Sequence, residues 1–146
     1  MTLVLDRING ILLSDSLPQL QDEEKEHIID KILAILCELE SIGIFHNDIR
    51  SWNIMIDTKN NPYLIDFGLS AFGEKENNLY AFAYLVESLI RNIPESELYD
   101  KKTLPEFTNN RLYLKYISPI MSERIKSFKD LTNDIMLNWK NTPIIE

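Results

Sequence analysis

The spacing of apolar residues predicts a long helix in the first third of the chain. Apolar residues recur there at steps of three or four and so share one helix face: Ile28, Ile32, Ile35, Leu36 and Leu39. Acidic residues at positions 22–24 suit the positive end of a helix, and Gly43 suits a position just after its end. We therefore predict a helix over residues 22–41.

Short apolar runs next to turn residues predict strands. Residues 54–56 and 63–65 are two such runs, and Asn60-Asn61-Pro62 lies between them. Asn and Pro favour turns, so a β-hairpin is predicted here. A further strand is predicted at residues 3–5, with a turn at Asn9-Gly10.

The second half of the chain reads as helical. An apolar face over residues 77–92 ends near Pro94, a short helix is expected at 112–117, and a last one over 121–139. With no internal repeat and no low-complexity linker, the chain is predicted to form one α+β domain that is mainly helical.

Composition narrows the class of protein. Of 146 residues, 45% are apolar, which favours a globular fold. There are 23 acidic and 15 basic residues, for a net charge of −8, and this balance disfavours nucleic acid as a partner. Cys37 is the only cysteine, so no disulfide can form within the chain, and we expect it in the core. The sequence has no predicted signal peptide or transmembrane segment, and a cytoplasmic location is expected.

Three polar residues stand at a spacing that suits phosphoryl transfer. Asp48 precedes Asn53 by five positions, and Asp66, which begins Asp-Phe-Gly, follows thirteen positions after Asn53. Carboxylate and amide oxygens suit Mg²⁺, so Asn53 and Asp66 are candidate metal ligands. Asp48 could orient or deprotonate an attacking hydroxyl, and Arg50 could offset charge on the phosphate. The alternative is a solvated loop in which these side chains only form turns.

This spacing resembles the catalytic and metal-binding loops of protein-kinase-like phosphotransferases. The similarity covers their large, C-terminal lobe. It implies these parts: the last small-lobe strand and the hinge (1–13), the helix before the catalytic loop (22–41), the catalytic and metal-binding loops (46–68), and a helical remainder (77–146).

The resemblance also implies cofactors and residue roles. ATP and Mg²⁺ would be bound, with Leu5 and Ile8 of the hinge at the nucleotide. Asp48 would be the catalytic base, and Asn53 and Asp66 the metal ligands. His46 is expected to hold the loop through backbone hydrogen bonds.

Three features depart from regulated protein kinases. Asn47 stands where they carry an arginine, and about eight residues lead from Gly68 to the next helix with no Ala-Pro-Glu. The sequence also lacks a glycine-rich loop and the other phosphate-binding parts of a small lobe, so the small lobe is expected to be absent. The sequence of residues 46–53 resembles the corresponding motif of bacterial O-antigen kinase–methyltransferases, which phosphorylate a sugar.

Two functions are compatible with the sequence. The chain is expected to be a kinase-type phosphotransferase, truncated or completed by a small lobe from another protein, that acts on a hydroxyl of a sugar, a small molecule or a protein. The alternative is a non-catalytic binding module of the pseudokinase kind. It would dock a partner through an apolar surface around Leu3, Leu5, Ile8 and Ile11. Binding of ATP and Mg²⁺ separates the two.

Overall fold

The computed structural model describes residues 9–98 and 109–139. The predicted strand at residues 3–5, together with Leu5 and Ile8, therefore lies outside the described residues. The order of elements is β1 (Gly10–Leu12), α1 (Leu13–Ser16), α2 (Asp22–Ser41), β2 (Ile54–Asp57), β3 (Pro62–Leu64), α3 (Asn78–Arg91), α4 (Glu95–Leu98), a π-helical turn (Tyr113–Ile117), α5 (Ser118–Met121) and α6 (Phe128–Trp139).

Helix α2 has the predicted bounds, and its ends explain why. Gln21 and Glu24 form a capping box, in which the Gln21 backbone N–H donates to Glu24 Oε1 at 2.9 Å. At the other end Gly43 adopts φ 77°, and Ile44 N donates back to Leu39 O at 2.9 Å. Glycine takes this left-handed conformation without steric cost, so the helix stops where the sequence indicated.

The predicted hairpin is also confirmed. Strands β2 and β3 pair antiparallel, with Ile54 opposite Leu64 and Met55 opposite Tyr63. Asp57 stabilises the turn, because its carboxylate accepts from the backbone N–H groups of Lys59 and Asn61 at 2.9 Å each.

The expected turn at Asn9-Gly10 is wrong at Gly10, which begins β1. This strand pairs antiparallel with β2 and completes a sheet in the order β1-β2-β3. A Cβ at position 10 would lie 2.1 Å from the carbonyl oxygen of Ile56. Glycine is therefore required because the two backbones approach closely, not because the chain turns.

The last helix is predicted over residues 121–139, and its predicted start is wrong. The structure has helix only from Phe128, and α5 ends at Met121. Glu123 adopts φ 60°, a left-handed conformation that a right-handed helix cannot contain. Ile125 still packs in the core. Its spacing from the apolar residues of α6 therefore matches that of a helix, although the backbone at Ile125 is not helical.

One hydrophobic core lies between α2, the inner face of the sheet, α3 and the C-terminal helices. Its largest fully buried side chains are Tyr116, Phe82, Leu13, Leu17, Ile28, Ile29, Ile32, Ile49, Ile54, Leu85 and Leu89. Cys37 is partly buried and packs against this core. No helix within residues 9–98 and 109–139 is long and apolar enough to cross a membrane.

Candidate active site

The loop between α2 and β2 brings Asp48 and Asn53 into direct contact. Asn53 Nδ2 donates to the backbone carbonyl of Asp48 and to its carboxylate Oδ2, at 2.9 Å each. Asn53 is 5% exposed, and neither bond that its side chain makes within the described residues uses Oδ1. The loop therefore closes on itself and leaves an amide oxygen available as a ligand.

Asp66 is joined to Asn53 through the sheet. The backbone N–H of Ile65 donates to Asn53 O at 2.9 Å, directly after β3. Asp66 itself is exposed, adopts φ 57°, and accepts from Gly68 N at 3.3 Å through Oδ1. The hairpin thus bonds the residue before Asp66 to the backbone of Asn53. A non-glycine residue in the left-handed region is typical of functional loops.

His46 makes the backbone contacts expected of it. Its Nε2 lies 2.9 Å from the carbonyl oxygen of Ile65, and its Nδ1 accepts from Asp48 N at 3.2 Å. Because Nδ1 accepts, the proton lies on Nε2, which donates to Ile65. The ring also packs edge-on against Phe67, at 4.7 Å between centroids. His46 therefore connects the Asp48 loop to the Asp66 loop.

Arg50 forms an ion pair that the sequence did not indicate. Its Nη1 and Nη2 bond the two carboxylate oxygens of Glu76 at 3.3 and 3.2 Å, and Nη1 also donates to Ile49 O at 2.7 Å. Arg50 and Glu76 are partly buried, with 17% and 30% of their side chains exposed. The guanidinium is thus held by Glu76, in the segment that follows Gly68.

Glu95 is a second residue that sequence reasoning missed. It is fully buried at the start of α4, where its carboxylate accepts from the Ser51 backbone N–H at 2.6 Å and from Ser51 Oγ at 2.5 Å. The first residue of α4 therefore holds the loop that carries Asp48 in place. The only signal in the sequence is an acidic residue directly after Pro94, which by itself reads as an ordinary helix start.

The outer face of the sheet offers an apolar surface beside these polar groups. Leu12 lies opposite Met55, and Met55 lies opposite Tyr63, so the three side chains form a row across the strands. Leu12 and Met55 are half-buried and Tyr63 is 40% exposed, whereas Ile54 and Ile56 on the other face belong to the core. Met55 follows Asn53 by two positions, and Tyr63 precedes Asp66 by three. The row therefore lies near the end of the sheet that is flanked by the two candidate metal ligands.

No cluster of three or more His, Cys, Asp or Glu side chains suited to a metal occurs in the part of the chain that the structure describes. A Mg²⁺ ion needs no such cluster, because one carboxylate, an amide oxygen, phosphate oxygens and water complete its coordination. Asp66 and Asn53 Oδ1 fit that requirement.

Comparison with known proteins gives a consistent picture. The family model described as "Protein kinase domain" matches residues 1–92, more than half of the chain. The O-antigen chain terminator bifunctional methyltransferase/kinase WbdD of Escherichia coli is 41% identical over 66 residues, which is 45% of this chain and 9% of that protein. CBL-interacting protein kinase 21 of Oryza sativa subsp. japonica is 25% identical over 146 residues, covering 98% of this chain and 26% of that kinase.

A solved structure agrees with the sequence comparisons. A co-crystal structure of WbdD and the kinase inhibitor LY294002 superposes with a TM-score of 0.55 and 33% identity, over 87% of this chain and 26% of that one. The chain spans about a quarter or less of the relatives named here. These matches confirm the predicted fold, a mainly helical protein-kinase-like domain of which part is present, and the chain belongs to the protein kinase domain family.

Proposed function

We propose that this chain forms the catalytic half of an ATP-dependent phosphotransferase that transfers the γ-phosphate to a hydroxyl group. The observation that carries the proposal is the series of contacts that joins Asp48 to Asn53 and Asn53, through Ile65, to Asp66. Phosphoryl transfer depends on positioning and on charge neutralisation rather than on covalent chemistry by the protein. A base and two metal ligands held together in this way meet that need.

Each site residue has a proposed role that its contacts support. Asp66 and Asn53 Oδ1 would hold Mg²⁺, which neutralises charge on the phosphates when bound. Asp48 would accept the hydroxyl proton, and its carboxylate is oriented for this by Asn53 Nδ2. Arg50 would offset charge on the transferred phosphate, with Glu76 fixing where the guanidinium stands.

The nucleotide base would lie on the outer face of the sheet. Leu12 and Met55 present a half-buried apolar surface there, next to the end of the sheet that carries the proposed metal ligands. The roles of Leu5 and Ile8 at the nucleotide remain predictions, because both residues lie outside the described part of the chain.

The acceptor is proposed to be a sugar hydroxyl. The support is the 41% identity over 66 residues to WbdD, which is named as an O-antigen chain terminator. The glycines of this sequence do not form a phosphate-binding loop of the G-x-G-x-x-G type. We therefore propose that a small lobe, in the same polypeptide or in a partner protein, completes the phosphate site. A reaction that uses ATP agrees with the cytoplasmic location expected from the sequence.

A binding module without catalysis is the second candidate. The observation that favours it is the exposure of large apolar side chains, with Ile11 at 53%, Leu69 at 60% and Phe72 at 86%. Such a module needs no metal ligands and should not bind ATP.

Thermal unfolding with and without ATP and Mg²⁺ separates these candidates. A ligand present at a hundred times its Kd stabilises the folded state by about 2.7 kcal/mol, so the proposal expects a rise in Tm of several degrees. Asp66→Asn should abolish the part that depends on Mg²⁺, whereas Asp134→Asn in α6 should retain it. No rise at millimolar ATP, for the unaltered chain alone and with a small-lobe protein added, would reject the phosphotransferase and favour the binding module.

A further inference from the structure

Asn47, the neighbour of Asp48, has the most completely bonded polar side chain near the site. It is 4% exposed, and its Nδ2 donates to the carbonyl oxygens of Leu69 and Gly73 at 3.1 and 3.2 Å. Its Oδ1 accepts from Lys75 N at 2.9 Å and from Asn78 Nδ2 at 3.0 Å. An amide offers two donors and accepts at two lone pairs, so all four positions are filled.

These partners fix which way the amide points. Lys75 contributes a backbone N–H that can only donate, and the Leu69 and Gly73 carbonyls can only accept. Exchanging Oδ1 with Nδ2 would oppose donor to donor and acceptor to acceptor. An aspartate at position 47 could not donate at all, so only Asn or Gln chemistry satisfies this arrangement.

Asn78, at the first position of α3, completes the arrangement from the other side. It is fully buried, and its Oδ1 accepts from the backbone N–H of Asn47 at 3.0 Å. Its Nδ2 donates to Asn47 Oδ1 and to Glu76 O, at 3.0 Å each. We call Asn47 and Asn78, with the backbone groups that they bind, the amide clasp.

The amide clasp joins the proposed catalytic loop to the whole segment that follows Gly68. Asn47 bonds that segment at positions 69, 73, 75 and 78, and Asn78 bonds Glu76 O within the segment. The bridge between Phe45 and Ala71 and the ion pair between Arg50 and Glu76 connect the same two parts of the chain. The segment is therefore bonded to residues on both sides of Asp48.

We infer that Asn47 and Asn78 are positioning residues, which keep Asp48 and Arg50 aligned for phosphate transfer by fixing the segment from Leu69 to Asn78. This inference rests on the proposed function for its catalytic consequence. The clasp itself consists of neutral amides and backbone groups, and two charged contacts accompany it: Glu74 Oε1 accepts from Asn78 Nδ2 at 3.3 Å, and Arg50 pairs with Glu76.

The backbone of Asn47 determines which variant tests the clasp. Asn47 adopts φ 65°, where a residue with a Cβ other than Asn or Asp is strained. Asn47→Gly removes the amide and tolerates that conformation, so it separates the loss of the clasp from backbone strain. Asn60→Gly is the matched control, because Asn60 has φ 61° in the hairpin turn and also uses its Nδ2, to bond Glu24 at 2.7 Å.

Amide hydrogen exchange by NMR on the full chain tests the clasp itself. The Lys75 N–H, which bonds Asn47 Oδ1, should exchange roughly five to ten times faster in Asn47→Gly than in the unaltered chain. Exchange at this amide should not change in Asn60→Gly. Unchanged exchange at Lys75 in Asn47→Gly would overturn the inference.

Steady-state kinetics with ATP and Mg²⁺ test the catalytic consequence. We expect Asn47→Gly to lower kcat by up to about a hundredfold while the KM for ATP stays within about twofold, since misalignment affects transfer more than binding. Faster exchange with kcat unchanged would reject the positioning role. If the unaltered chain shows no transfer even with a small-lobe protein added, the proposed function fails, and amide exchange alone then decides whether the clasp fixes the segment.

Discussion

Asn53 and Asp48 are locked to each other: one amide nitrogen of Asn53 reaches both the backbone carbonyl and the carboxylate of Asp48, at 2.9 Å each. The five-residue spacing of this pair therefore has a structural reason, because the loop between them closes through that nitrogen. The other atom of the same amide, Oδ1, stays available for a metal. One side chain can thus orient the proposed base and bind the proposed ion.

Removing the Asn53 amide should weaken the fold as well as the site. We expect Asn53→Ala to lower the free energy of unfolding by about 1–2 kcal/mol, because a nearly buried residue loses two hydrogen bonds. Urea unfolding followed by circular dichroism measures this. Asn138→Ala, at an exposed position in α6, should stay within about 0.5 kcal/mol of the unaltered chain. Equal losses in the two variants would contradict the closed loop.

Glu95 should be among the most sensitive polar residues. Glu95→Ala leaves a buried Ser51 N–H without its acceptor and is expected to cost about 2–3 kcal/mol in urea unfolding. Glu95→Gln should cost less, because its amide oxygen can still accept one of the two bonds. Glu97→Ala, on the exposed side of the same short helix, is the matched control. A loss for Glu95→Ala no larger than for Glu97→Ala would show that α4 does not support the loop.

The ion pair of Arg50 and Glu76 should matter more for alignment than for stability. Both side chains are partly exposed, so a double-mutant cycle of Arg50→Ala and Glu76→Ala should give a coupling of less than about 1 kcal/mol. This coupling should shrink in 1 M NaCl, where the screening length falls to about 3 Å. A coupling of several kcal/mol that does not change with salt would contradict the partial solvent exposure of the two side chains in the structure.

The free energy of unfolding at acid pH should depend on Glu26. This residue connects α2 to the C-terminal helices, since its carboxylate accepts from Arg111 Nε at 2.6 Å and from Lys115 Nζ at 3.0 Å. Hydrogen bonding to Arg111, followed by the contacts with Lys115, lowers the pKa of Glu26 below its usual 4.5.

A carboxylate with a lowered pKa stabilises the fold above its unfolded pKa and loses that effect as the pH falls. Glu26→Gln should therefore reduce stability at pH 7, by less than about 1 kcal/mol because the group is partly exposed. The difference from the unaltered chain should disappear as the pH falls below about 4. Urea unfolding at a series of pH values measures it, with Glu38→Gln on exposed α2 surface as the control. A difference that grows toward low pH would contradict this sign.

The parts of the fold that could be predicted from sequence are those with a local signal. Helix α2 combines apolar spacing with signals at both ends, and the β2–β3 hairpin has turn residues between two apolar runs. The start of α6 could not be predicted, because Ile125 continues the apolar spacing while Glu123 breaks the helix. Gly10 reads as a turn residue until the strand that approaches it is known.

The candidate site divides in the same way. Asp48, Asn53 and Asp66 follow from a spacing along the chain, and the hairpin explains how Ile65, the residue before Asp66, bonds to Asn53. Asn78, Glu76 and Glu95 could not be found, since each contacts the loop from 26 to 44 residues away. Hydrogen bonds between such distant positions have no period and no motif, and they become visible only when α3 and α4 are packed against the loop.

The transfer of γ-phosphate from ATP to a hydroxyl acceptor is the most direct test of the central claim. It should be assayed with Mg²⁺, both without and with an added small-lobe protein, for the unaltered chain, for Asp48→Asn, and for Asp15→Asn, an exposed position in α1. We expect transfer that requires Mg²⁺, a fall of about 10²–10⁴-fold in Asp48→Asn with binding of ATP retained, and no change in Asp15→Asn. Transfer that proceeds equally well in Asp48→Asn would contradict the account.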